Sequence, residues 1–325
     1  MGRVAVVALG GNAITRSGQA GTYAEQAANA ESMVDVICQL RARGWTVVVV
    51  HGNGPQVGNL AVQQEEGARR VPEQPLFALG AMTEGQLGSL LGLALRKAGG
   101  QWLPEVVSLV THVVVDEADP AFSHPTKPIG PFLTEPEANR LAAAHGWVVG
   151  EDSGRGFRRM VASPRPLRIV ELGAVRTLAD RGAIVIAAGG GGVPVVPDGS
   201  GYRGVDAVID KDLAAQCLAR ELGAEALLMV TDIPQVMLDF GTPAARPIAE
   251  MTANEAQAYV DAHQFPEGSM GPKVRAAIAF LRAGGRTAVI TNAERAAASL
   301  QPGAPGMSDT GTRIVSTART LGAAG

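Results

Sequence analysis

The lysines are the residues of this chain whose type and placement point most directly to chemistry. The 325-residue sequence has 28 Lys and Arg side chains in total, and the only lysines among them are Lys97, Lys127, Lys211 and Lys273. A lysine ammonium is a compact, mobile point charge, whereas an arginine guanidinium is a rigid planar fork. A chain that uses arginine almost everywhere and keeps lysine at a few positions indicates contacts to a moving phosphoryl oxygen. We therefore predict a phosphoryl-transfer enzyme.

Three of the lysines stand where they do little for folding. Lys127 lies in a short strip between two prolines, which stiffen the backbone that presents it. Lys211 and Lys273 are both predicted in the first turn of a helix, where a cation loses about 0.3–1 kcal/mol against the helix dipole. Lys97 falls at the end of a predicted helix, where a cation is favoured, and we give it no role.

Acidic residues bracket one of these lysines. Asp210 and Asp212 flank Lys211, and acids suit the start of a helix. The plain alternative is that Lys211 pairs with these neighbours on the surface, but adjacent helical residues do not face each other. We therefore expect Lys127, Lys211 and Lys273 to stabilise a transferring phosphoryl group and Asp212 to orient the lysines.

The elements that must position these residues alternate along the chain. Apolar runs of Val, Ile, Leu and Ala indicate strands covered on both faces, and helical stretches separate them. This alternation predicts an α/β fold with a doubly wound, mostly parallel sheet. The predicted strands are 4–9, 46–51, 106–116, 183–188, 226–231 and 287–291, and the predicted helices are 23–43, 56–66, 76–98, 171–181, 212–222, 252–263, 273–283 and 293–300.

Glycine clusters follow the predicted strands at their carboxyl ends, where open α/β sheets bind ligands. Gly52, Asn53 and Gly54 lead into Pro55, which suits the first position of a helix, and exposed N–H groups there attract anions. Four adjacent glycines at 189–192 cost considerable chain entropy on folding. We expect a ligand or another group to lie very close to the backbone of these glycines, and a phosphate chain is the natural candidate.

The segment 116–166 breaks the alternation. It is rich in Pro, Gly and charge, without a long periodic element, and we predict an inserted excursion, a small hairpin subdomain, that carries Lys127. The length of the chain allows two lobes. We place a phosphoryl-acceptor lobe at 1–220, including this insert, and a nucleotide-binding lobe at 221–325.

Composition narrows the partners. The net charge of −3 and the 4% aromatic content argue against nucleic acid and against an anionic membrane. Cys38 and Cys217 fall in apolar helical stretches without a CxxC partner, so we expect reduced core thiols and no metal site. The absence of an apolar run long enough for a membrane span suggests a cytoplasmic protein. His51 ends a buried strand and is interpreted as a structural group.

Six motifs together resemble those of the carbamate kinases, within the amino-acid-kinase superfamily, over roughly residues 3–314. They are ALGGNA at 8–13, HGNGPQVG at 51–58, PTKPIGPF at 125–132, GGGG at 189–192, VIDKDLA at 208–214 and GSMGPKV at 268–274. The resemblance implies a three-layer αβα fold with a central, mostly parallel sheet, and a homodimer. It also implies reversible conversion of carbamoyl phosphate and ADP into ATP and carbamate, with Mg²⁺.

The resemblance also implies roles for matched residues. Lys127, Lys211 and Lys273 would stabilise the transferred group and Asp212 would organise the lysines, with no covalent enzyme intermediate. Carbamoyl phosphate would be held by Gly10, Gly11, Asn12, Gly52, Asn53 and Gly54. The nucleotide site would be lined by Gly190, Gly191, Thr231, Asp232, Val236 and Met237.

The sequence departs from the family pattern at three positions. Glu84 stands where glutamine is usual, Ser89 where an aromatic is common, and Met237 where a tyrosine often packs by the nucleotide. Glu84 is a candidate to place a carboxylate near the acceptor or the dimer face. It keeps open the alternative of a related kinase that phosphorylates another small carboxylate or carbamate-like acid.

The sequence disfavours two further classes of function, a nucleotide-sensing protein and a nicotinamide-dependent oxidoreductase. A nucleotide-sensing protein without catalysis would not need the three lysines together with Asp212. A nicotinamide-dependent oxidoreductase lacks its fingerprint, because the first βα turn at 10–13 is not GxGxxG, and a P-loop enzyme is excluded because GxxxxGK[ST] is absent.

Overall fold

One central sheet of eight strands organises the fold. The structure is a computed structural model that describes residues 2–10, 14–16, 18–152, 156–266, 268–301 and 310–316. The sheet is mostly parallel, because β16 and β17 form its one antiparallel pair among the described strands. In spatial order the strands are β15 (Glu250–Thr252), β17 (Thr312–Val315), β16 (Thr287–Thr291), β12 (Ala226–Val230), β1 (Val4–Leu9), β2 (Thr46–His51), β9 (Ile184–Ile186) and β3 (Val106–Ser108).

Helices cover both faces of this sheet. Several begin at side-chain caps, such as the Thr22 and Glu25 capping box before α1 and the Asp210 cap before α6. The nine α-helices of the described residues are α1 (Tyr23–Ala42), α2 (Gly54–Gly67), α3 (Leu76–Gly99), α4 (Glu135–His145), α5 (Leu172–Asp180), α6 (Lys211–Leu222), α7 (Ala253–Asp261), α8 (Met270–Arg282) and α9 (Ala293–Ser299).

Every residue of β1 is buried, and successive side chains point to opposite faces. Val7 belongs to a core closed by α1, α3 and α9, whereas Val6 belongs to a second core closed by α5, α6, α7 and α8. Each fully buried Val or Leu contributes roughly 1.5–3 kcal/mol to folding. The two cores confirm the predicted α/β class and the three-layer αβα arrangement.

The predicted strand 106–116 is wrong as a single strand. The chain leaves the central sheet after β3 and enters a second sheet as β4 (His112–Val114), which pairs in parallel with β10 (Val193–Asp198). Thr111 marks the switch, because it is fully buried and its N–H donates to the carboxylate of Glu84 in α3. The second sheet is completed by β8 (Arg168–Ile169) and β11 (Gly201–Gly204).

The inserted segment forms a three-stranded antiparallel sheet of β5 (Lys127–Leu133), β7 (Phe157–Val161) and β6 (Val148–Glu151). The sequence predicted an insert without a long periodic element, and the structure adds one helix, α4, between β5 and β6. This helix has one fully buried residue, Ala138, so it shows almost no apolar periodicity. Its start was nevertheless visible, since Thr134 and Glu137 form a capping box.

The structure also bears on the predictions for the cysteines, for membrane spans and for the division into lobes. Cys38 and Cys217 are buried free thiols, as predicted, and burial raises the pKa of Cys217 to about 12. Among the described helices none is both long and apolar enough to cross a membrane. The boundary between lobes at residue 220 stays a prediction, and strands from both sides of it share the central sheet. A short hairpin of β13 (Val236–Leu238) and β14 (Arg246–Ile248) lies outside that sheet.

Candidate active site

Four neighbouring strands bring their carboxyl ends to one edge of the central sheet. In the register of the sheet, Leu9 at the end of β1 pairs with His51 of β2 on one side and Val230 of β12 on the other. The amide of Gly10 donates to the carbonyl of Val230 at 3.1 Å, and the amide of Gly52 donates to the carbonyl of Leu9 at 3.1 Å. The glycine loops therefore lie side by side at this edge.

Lys211, Asp212 and Lys273 form a cluster beside the glycine loops. One carboxylate oxygen of Asp212 lies 2.7 Å from the Nζ of Lys211, and the other lies 2.8 Å from the Nζ of Lys273. The side chain of Asp212 is only 4% exposed, and those of Lys211 and Lys273 are 13% and 11% exposed. The structure thus brings three residues that the sequence singled out to one nearly buried place, with Asp212 holding both ammonium groups.

Lys211 and Asp212 contact each other although they are adjacent in the sequence, so the prediction that they would not was wrong. That prediction holds for interior residues of a helix, whereas Lys211 is the first residue of α6. At that position the long lysine side chain folds back onto the adjacent carboxylate. The plain alternative of a solvated surface pair is also wrong, because the contact is nearly buried.

Lys127 reaches the cluster from the insert. Its Nζ lies 2.6 Å from Oδ2 of Asp210, and the Oδ1 of the same carboxylate accepts the amides of Asp212 and Leu213 and caps α6. Asp210 therefore connects the insert to the start of α6. Three ammonium groups face two carboxylates here, so the cluster carries a net charge of +1, which suits an anionic ligand.

Burial and charge compete in setting the pKa values of this cluster. Burial acts to raise the pKa of Asp210, but Lys127 and Lys211 outweigh it and hold that pKa well below its ordinary value. Burial lowers the pKa of Lys211 against the attraction of Asp212, and the charge of Lys273 adds to the lowering. Burial also acts to lower the pKa of Lys273, but the charges of Asp212 and Asp210 and the hydrogen bonds with Asp212 and Lys211 together outweigh burial and raise that pKa.

The four glycines at 189–192 are required by packing within the protein. A Cβ added at Gly189 would lie 2.2 Å from Nε2 of His51, and one at Gly190 would lie 2.1 Å from Nδ2 of Asn53. Gly190 also has a φ of 65°, a left-handed value that favours glycine. The remaining two glycines are equally tight, with Gly191 against the carbonyl of Ile209 at 2.2 Å and Gly192 against Val113 at 2.3 Å.

This packing corrects the reason given for the glycines. The sequence predicted a close approach to this backbone, and the structure shows one, but on the Cβ side it is made by other atoms of the protein and not by a phosphate chain. The contact with Ile209 places the run next to Asp210 and the start of α6. The nucleotide role of Gly190 and Gly191 stays a prediction.

His51 and Asn53 have defined structural partners. His51 is fully buried, its Nδ1 lies 3.1 Å from the carbonyl of Gly52, and burial lowers its pKa to about 4. Asn53 is 5% exposed and donates from Nδ2 to the hydroxyl of Thr83 in α3 at 2.8 Å. His51 thus fits the structural interpretation. Gly11 and Asn12 lie outside the described residues, so their predicted contacts stay predictions.

The predicted nucleotide residues follow the neighbouring strand β12. Thr231 donates its amide to the carbonyl of Thr291, and Asp232 is exposed. Val236 is fully buried in the core, and its amide donates to the hydroxyl of Thr312 at 2.8 Å. Its side chain is therefore committed to the core, whereas Met237 is half-buried. The assignment of these residues to a nucleotide site stays a prediction.

Glu84 is buried, with 2% of its surface exposed, so its carboxylate does not face solvent. Its expected place near the acceptor or the dimer face stays a prediction. Its Oε2 accepts the amide of Thr111 at 2.8 Å. Burial raises the pKa of Glu84 well above its ordinary value, and the charge of Glu171 adds to the effect.

The acidic residues of the site do not form a cage for a metal ion. The carboxylates of Asp210 and Asp212 are both paired with lysines. Within the described residues no group of three or more His, Cys, Asp or Glu side chains is arranged to hold a metal. A divalent cation at this site would have to be held mainly by a phosphate ligand.

Several residues that hold the site together were not predicted from the sequence. Asp210 was noted only as a neighbour of Lys211, although an Asp just before a helix is a cap signal and pointed to its importance. Thr83 and Thr111 carried no sequence signal, because single threonines in apolar surroundings are ordinary. Their roles appear only when distant segments meet.

Comparison with known proteins agrees with this geometry. The family model described as "Amino acid kinase family" matches residues 3–292. The chain is similar to the carbamate kinase of Pyrococcus furiosus, with 44% identity covering 97% of this chain and 100% of that protein. It is also similar to two solved structures of the carbamate kinase from Giardia lamblia, each at 40% identity covering 97% of this chain and 98% of that one. Their TM-scores are 0.90 for the form bound to citric acid and 0.87 for the form bound to AMP-PNP.

The chain belongs to the amino acid kinase family, by the match over most of its length. Within that family it groups with the carbamate kinases, since relatives of that name cover nearly the whole chain in sequence and in structure.

Proposed function

We propose that this protein catalyses reversible phosphoryl transfer between carbamoyl phosphate and ADP, giving ATP and carbamate. The observation that carries the proposal is the convergence of Lys127, Lys211 and Lys273, far apart in sequence, on two adjacent carboxylates beside the glycine loops. The carbamate kinase relatives support the choice of substrates.

The reaction needs positioning and charge stabilisation more than covalent chemistry. In the direction of ATP synthesis, an oxygen of the β-phosphate of ADP attacks the phosphorus of carbamoyl phosphate. The bond from phosphorus to the carbamate oxygen breaks, and its electron pair leaves with carbamate. No protein nucleophile is required, which agrees with a cluster made of ammonium groups and carboxylates.

Lys211 and Lys273 would contact the equatorial oxygens of the transferring group and stabilise the charge spread over them. Asp212 contacts both ammonium groups, so it would keep them oriented while the phosphoryl group moves. Lys127 would approach from the insert, and its bond to Asp210 ties the position of the insert to the start of α6. Because Lys211, Asp212 and Lys273 are nearly buried and already paired, little reorganisation of these three side chains is needed during transfer.

The loops at the strand ends would divide the two substrates. Gly10, Gly52, Asn53 and Gly54 would hold carbamoyl phosphate by backbone N–H groups, together with Gly11 and Asn12. Thr231, Asp232 and Met237, which follow β12, would border the nucleotide together with the backbone of Gly190 and Gly191. Mg²⁺ would enter as part of the nucleotide substrate, held by its phosphates, and we assign no step to it.

We also propose that two copies of the chain form a dimer through α3. One face of this helix carries exposed apolar side chains, with Met82 44% and Leu93 59% exposed. Trp102, in the turn that follows α3, is 57% exposed. Apolar side chains exposed together on one face indicate a protein interface. A cytoplasmic location and the absence of nucleic-acid partners remain expectations from composition.

The proposal is tested by mixing the purified protein with carbamoyl phosphate, ADP and Mg²⁺ and following the formation of ATP. We expect ATP to form in an amount equal to the carbamoyl phosphate consumed. In the reverse direction, a panel of small carboxylic acids should be phosphorylated more slowly than carbamate. Absence of ATP formation would contradict the reaction, and a faster acceptor in the panel would contradict the substrate.

A further inference from the structure

The glycine run at 189–192 is fixed at both flanks by one buried residue. The hydroxyl of Thr111 accepts the amide of Ala188 at 3.0 Å, and the carbonyl of Thr111 accepts the amide of Val193 at 2.8 Å. Ala188 has a left-handed φ of 51°, which a non-glycine residue adopts only when its surroundings hold it. Thr111 thus spans the run and determines where its backbone lies.

Thr111 is in turn fixed by Glu84. The amide of Thr111 donates to Oε2 of Glu84 at 2.8 Å. The preceding residue of α3, Thr83, accepts a hydrogen bond from Asn53, whose side chain packs against Gly190. Two consecutive residues of α3 therefore hold the run from two directions.

We propose that Glu84 is a positioning residue for the nucleotide side of the reaction, because it sets the backbone at 188–193 through Thr111. The inference rests on the proposed function in taking this backbone as part of the nucleotide site. Glu84 contacts neither substrate in this account and acts only through Thr111.

Glu84 does this as a neutral carboxylic acid. It is 2% exposed, and among the described residues no hydrogen-bond partner reaches its Oε1. An isolated buried carboxylate is so costly that the group takes up a proton instead. With the proton on Oε1, Oε2 remains free to accept the amide of Thr111.

The groups around Glu84 agree with a neutral form. Three titratable residues lie beside the run or act on Glu84: His51 packs against Gly189, His112 directly follows Thr111, and the charge of Glu171 acts on Glu84. Burial holds His51 neutral by lowering its pKa to about 4. The negative charge of Glu171 raises the pKa of Glu84. The carboxylate of Glu171 accepts the amide of His112 and also contacts Nδ1 of the His112 ring. The described part of the chain provides no cation that contacts Glu84.

The kinetic test compares Glu84→Ala with Glu84→Gln. The alanine variant leaves the amide of Thr111 without its acceptor, and we expect it to lose ~10²-fold in kcat/KM for ADP, the scale of a small misplacement of a site. Its KM for carbamoyl phosphate should change much less. The glutamine carbonyl accepts the same hydrogen bond, so Glu84→Gln should restore most of the loss.

Matched controls separate this role from simple loss of stability. Glu31→Ala and Glu31→Gln change an exposed carboxylate of α1 that pairs with Lys97, and they should behave as wild type. If Glu84→Ala fails to fold, Thr111→Val removes the hydroxyl that accepts the amide of Ala188 and donates to the carbonyl of Leu109. Thr111→Val should raise the KM for ADP, whereas Thr111→Ser, which keeps the hydroxyl, should not. A folded Glu84→Ala or Thr111→Val variant with wild-type KM for ADP would overturn the proposal, as would a Glu84→Gln variant as impaired as Glu84→Ala.

A second readout does not depend on activity. Because the folded-state pKa of Glu84 is raised, the folded protein binds more protons than the unfolded chain above pH ~4.5, so stability falls as pH rises. Glu84→Gln lacks this titration. The melting temperature of Glu84→Gln, relative to that of wild type, should therefore rise between pH 5 and pH 8. If the difference in melting temperature stayed constant over this range, Glu84 would not be a neutral acid in the folded protein.

Binding of ADP, measured by calorimetry, distinguishes failure of this inference from failure of the proposed function. A wild-type protein that binds ADP but forms no ATP, with binding weakened in Glu84→Ala, would refute the reaction and support the positioning role. Normal ATP formation in wild type with unchanged ADP binding in Glu84→Ala would refute the positioning role alone.

Discussion

Asp212 is the residue on which the charge arrangement of the site depends. Its two carboxylate oxygens contact the Nζ atoms of Lys211 and Lys273, at 2.7 and 2.8 Å, and the side chain is almost completely buried. A buried charge is tolerable only when it is paired, and removing one partner leaves the other charges uncompensated. The two ammonium groups would repel each other without this carboxylate between them, since each influences the pKa of its neighbours.

The substitution Asp212→Asn tests this role. We expect a loss of about 3–5 kcal/mol in the free energy of unfolding, because two buried ammonium groups lose their counter-charge. The kcat of ATP formation should fall by ~10²-fold or more, since the lysines lose their orientation. Urea unfolding and steady-state kinetics measure the two effects. The exposed Asp35, whose carboxylate accepts a hydrogen bond from Gln39, provides the control Asp35→Asn, and an Asp212 variant that matched this control would refute the role.

The pH dependence of stability tests the second carboxylate, Asp210. Its pKa is lower in the folded protein than the ordinary value of about 3.9 in an unfolded chain. The stability that it contributes is therefore fully present above that unfolded value and declines as pH falls through it towards the folded pKa. Asn caps a helix as well as Asp, so Asp210→Asn removes the charge and keeps the cap.

We accordingly expect Asp210→Asn to lower the free energy of unfolding at pH 7 and to lower it less at pH 3. Urea unfolding of both proteins at the two pH values measures the difference. An equal effect at both pH values would show that the ion pair with Lys127 does not stabilise the fold.

At the scale of elements, the insert is placed by direct backbone contact with α2. A Cβ added at Gly58 of α2 would lie 2.0 Å from both the N and Cα of Gly130 in β5. Val57 of α2 and Ile129 of β5 share a small apolar core that holds the two elements together. Because β5 begins with Lys127, this contact determines how that ammonium group meets Asp210.

The substitution Gly58→Ala should push β5 away from α2. Overpacking of this kind costs about 1–3 kcal/mol in stability. We expect a larger relative effect on kcat, ~10-fold or more, because Lys127 moves with β5. Gly67→Ala on the same helix is the control, since the nearest atom to its Cβ would be 3.9 Å away in Val71. Equal kinetics for the two variants would show that Lys127 is positioned by something else.

Elements were predictable from sequence where burial was uniform. The strands β1, β2, β12 and β16 match their predicted bounds to within a residue, because continuous apolar runs leave little choice. The helix α4 was missed, since it buries almost nothing. The split of 106–116 into β3 and β4 was also missed, because it depends on a hydrogen bond from Thr111 to a residue 27 positions away.

The candidate site was predictable in its residue types but not in its contacts. Lysines without a folding role and glycines at strand ends identified the location. The sequence had no means to show that Lys127 pairs with Asp210, or that His51 and Asn53 occupy the space beside the glycine run. Such contacts join residues distant along the chain, and no local pattern records them.

At the scale of the whole molecule, the site lies where the two parts of the central sheet join. Strands β1, β2, β9 and β3 come from the first part of the chain and β12, β16, β17 and β15 from the last, with β1 beside β12 at the junction. The cluster is assembled in the same way, since Lys211 begins α6 and Lys273 lies in the first turn of α8. Both helices pack on the same face of the sheet.

The proposed dimer is tested at this scale. We expect the protein to sediment as a dimer and Leu93→Lys to shift it towards monomer, because a charge would have to be buried in the apolar face of α3. Leu167→Lys is the control, as Leu167 is 50% exposed near β8 and lies on another surface. Analytical ultracentrifugation of the three proteins decides the matter, and an unchanged dimer in Leu93→Lys would place the interface elsewhere.

The most direct measurement is the rate of ATP formation from carbamoyl phosphate and ADP by wild type, Lys211→Ala and Lys97→Ala. Lys97 forms an exposed pair with Glu31 and provides the matched control. We predict that Lys211→Ala loses ~3 kcal/mol of transition-state stabilisation, seen as a fall of ~10²-fold or more in kcat, whereas Lys97→Ala retains wild-type turnover. A folded Lys211→Ala protein with full turnover would contradict the assignment of phosphoryl transfer to this cluster.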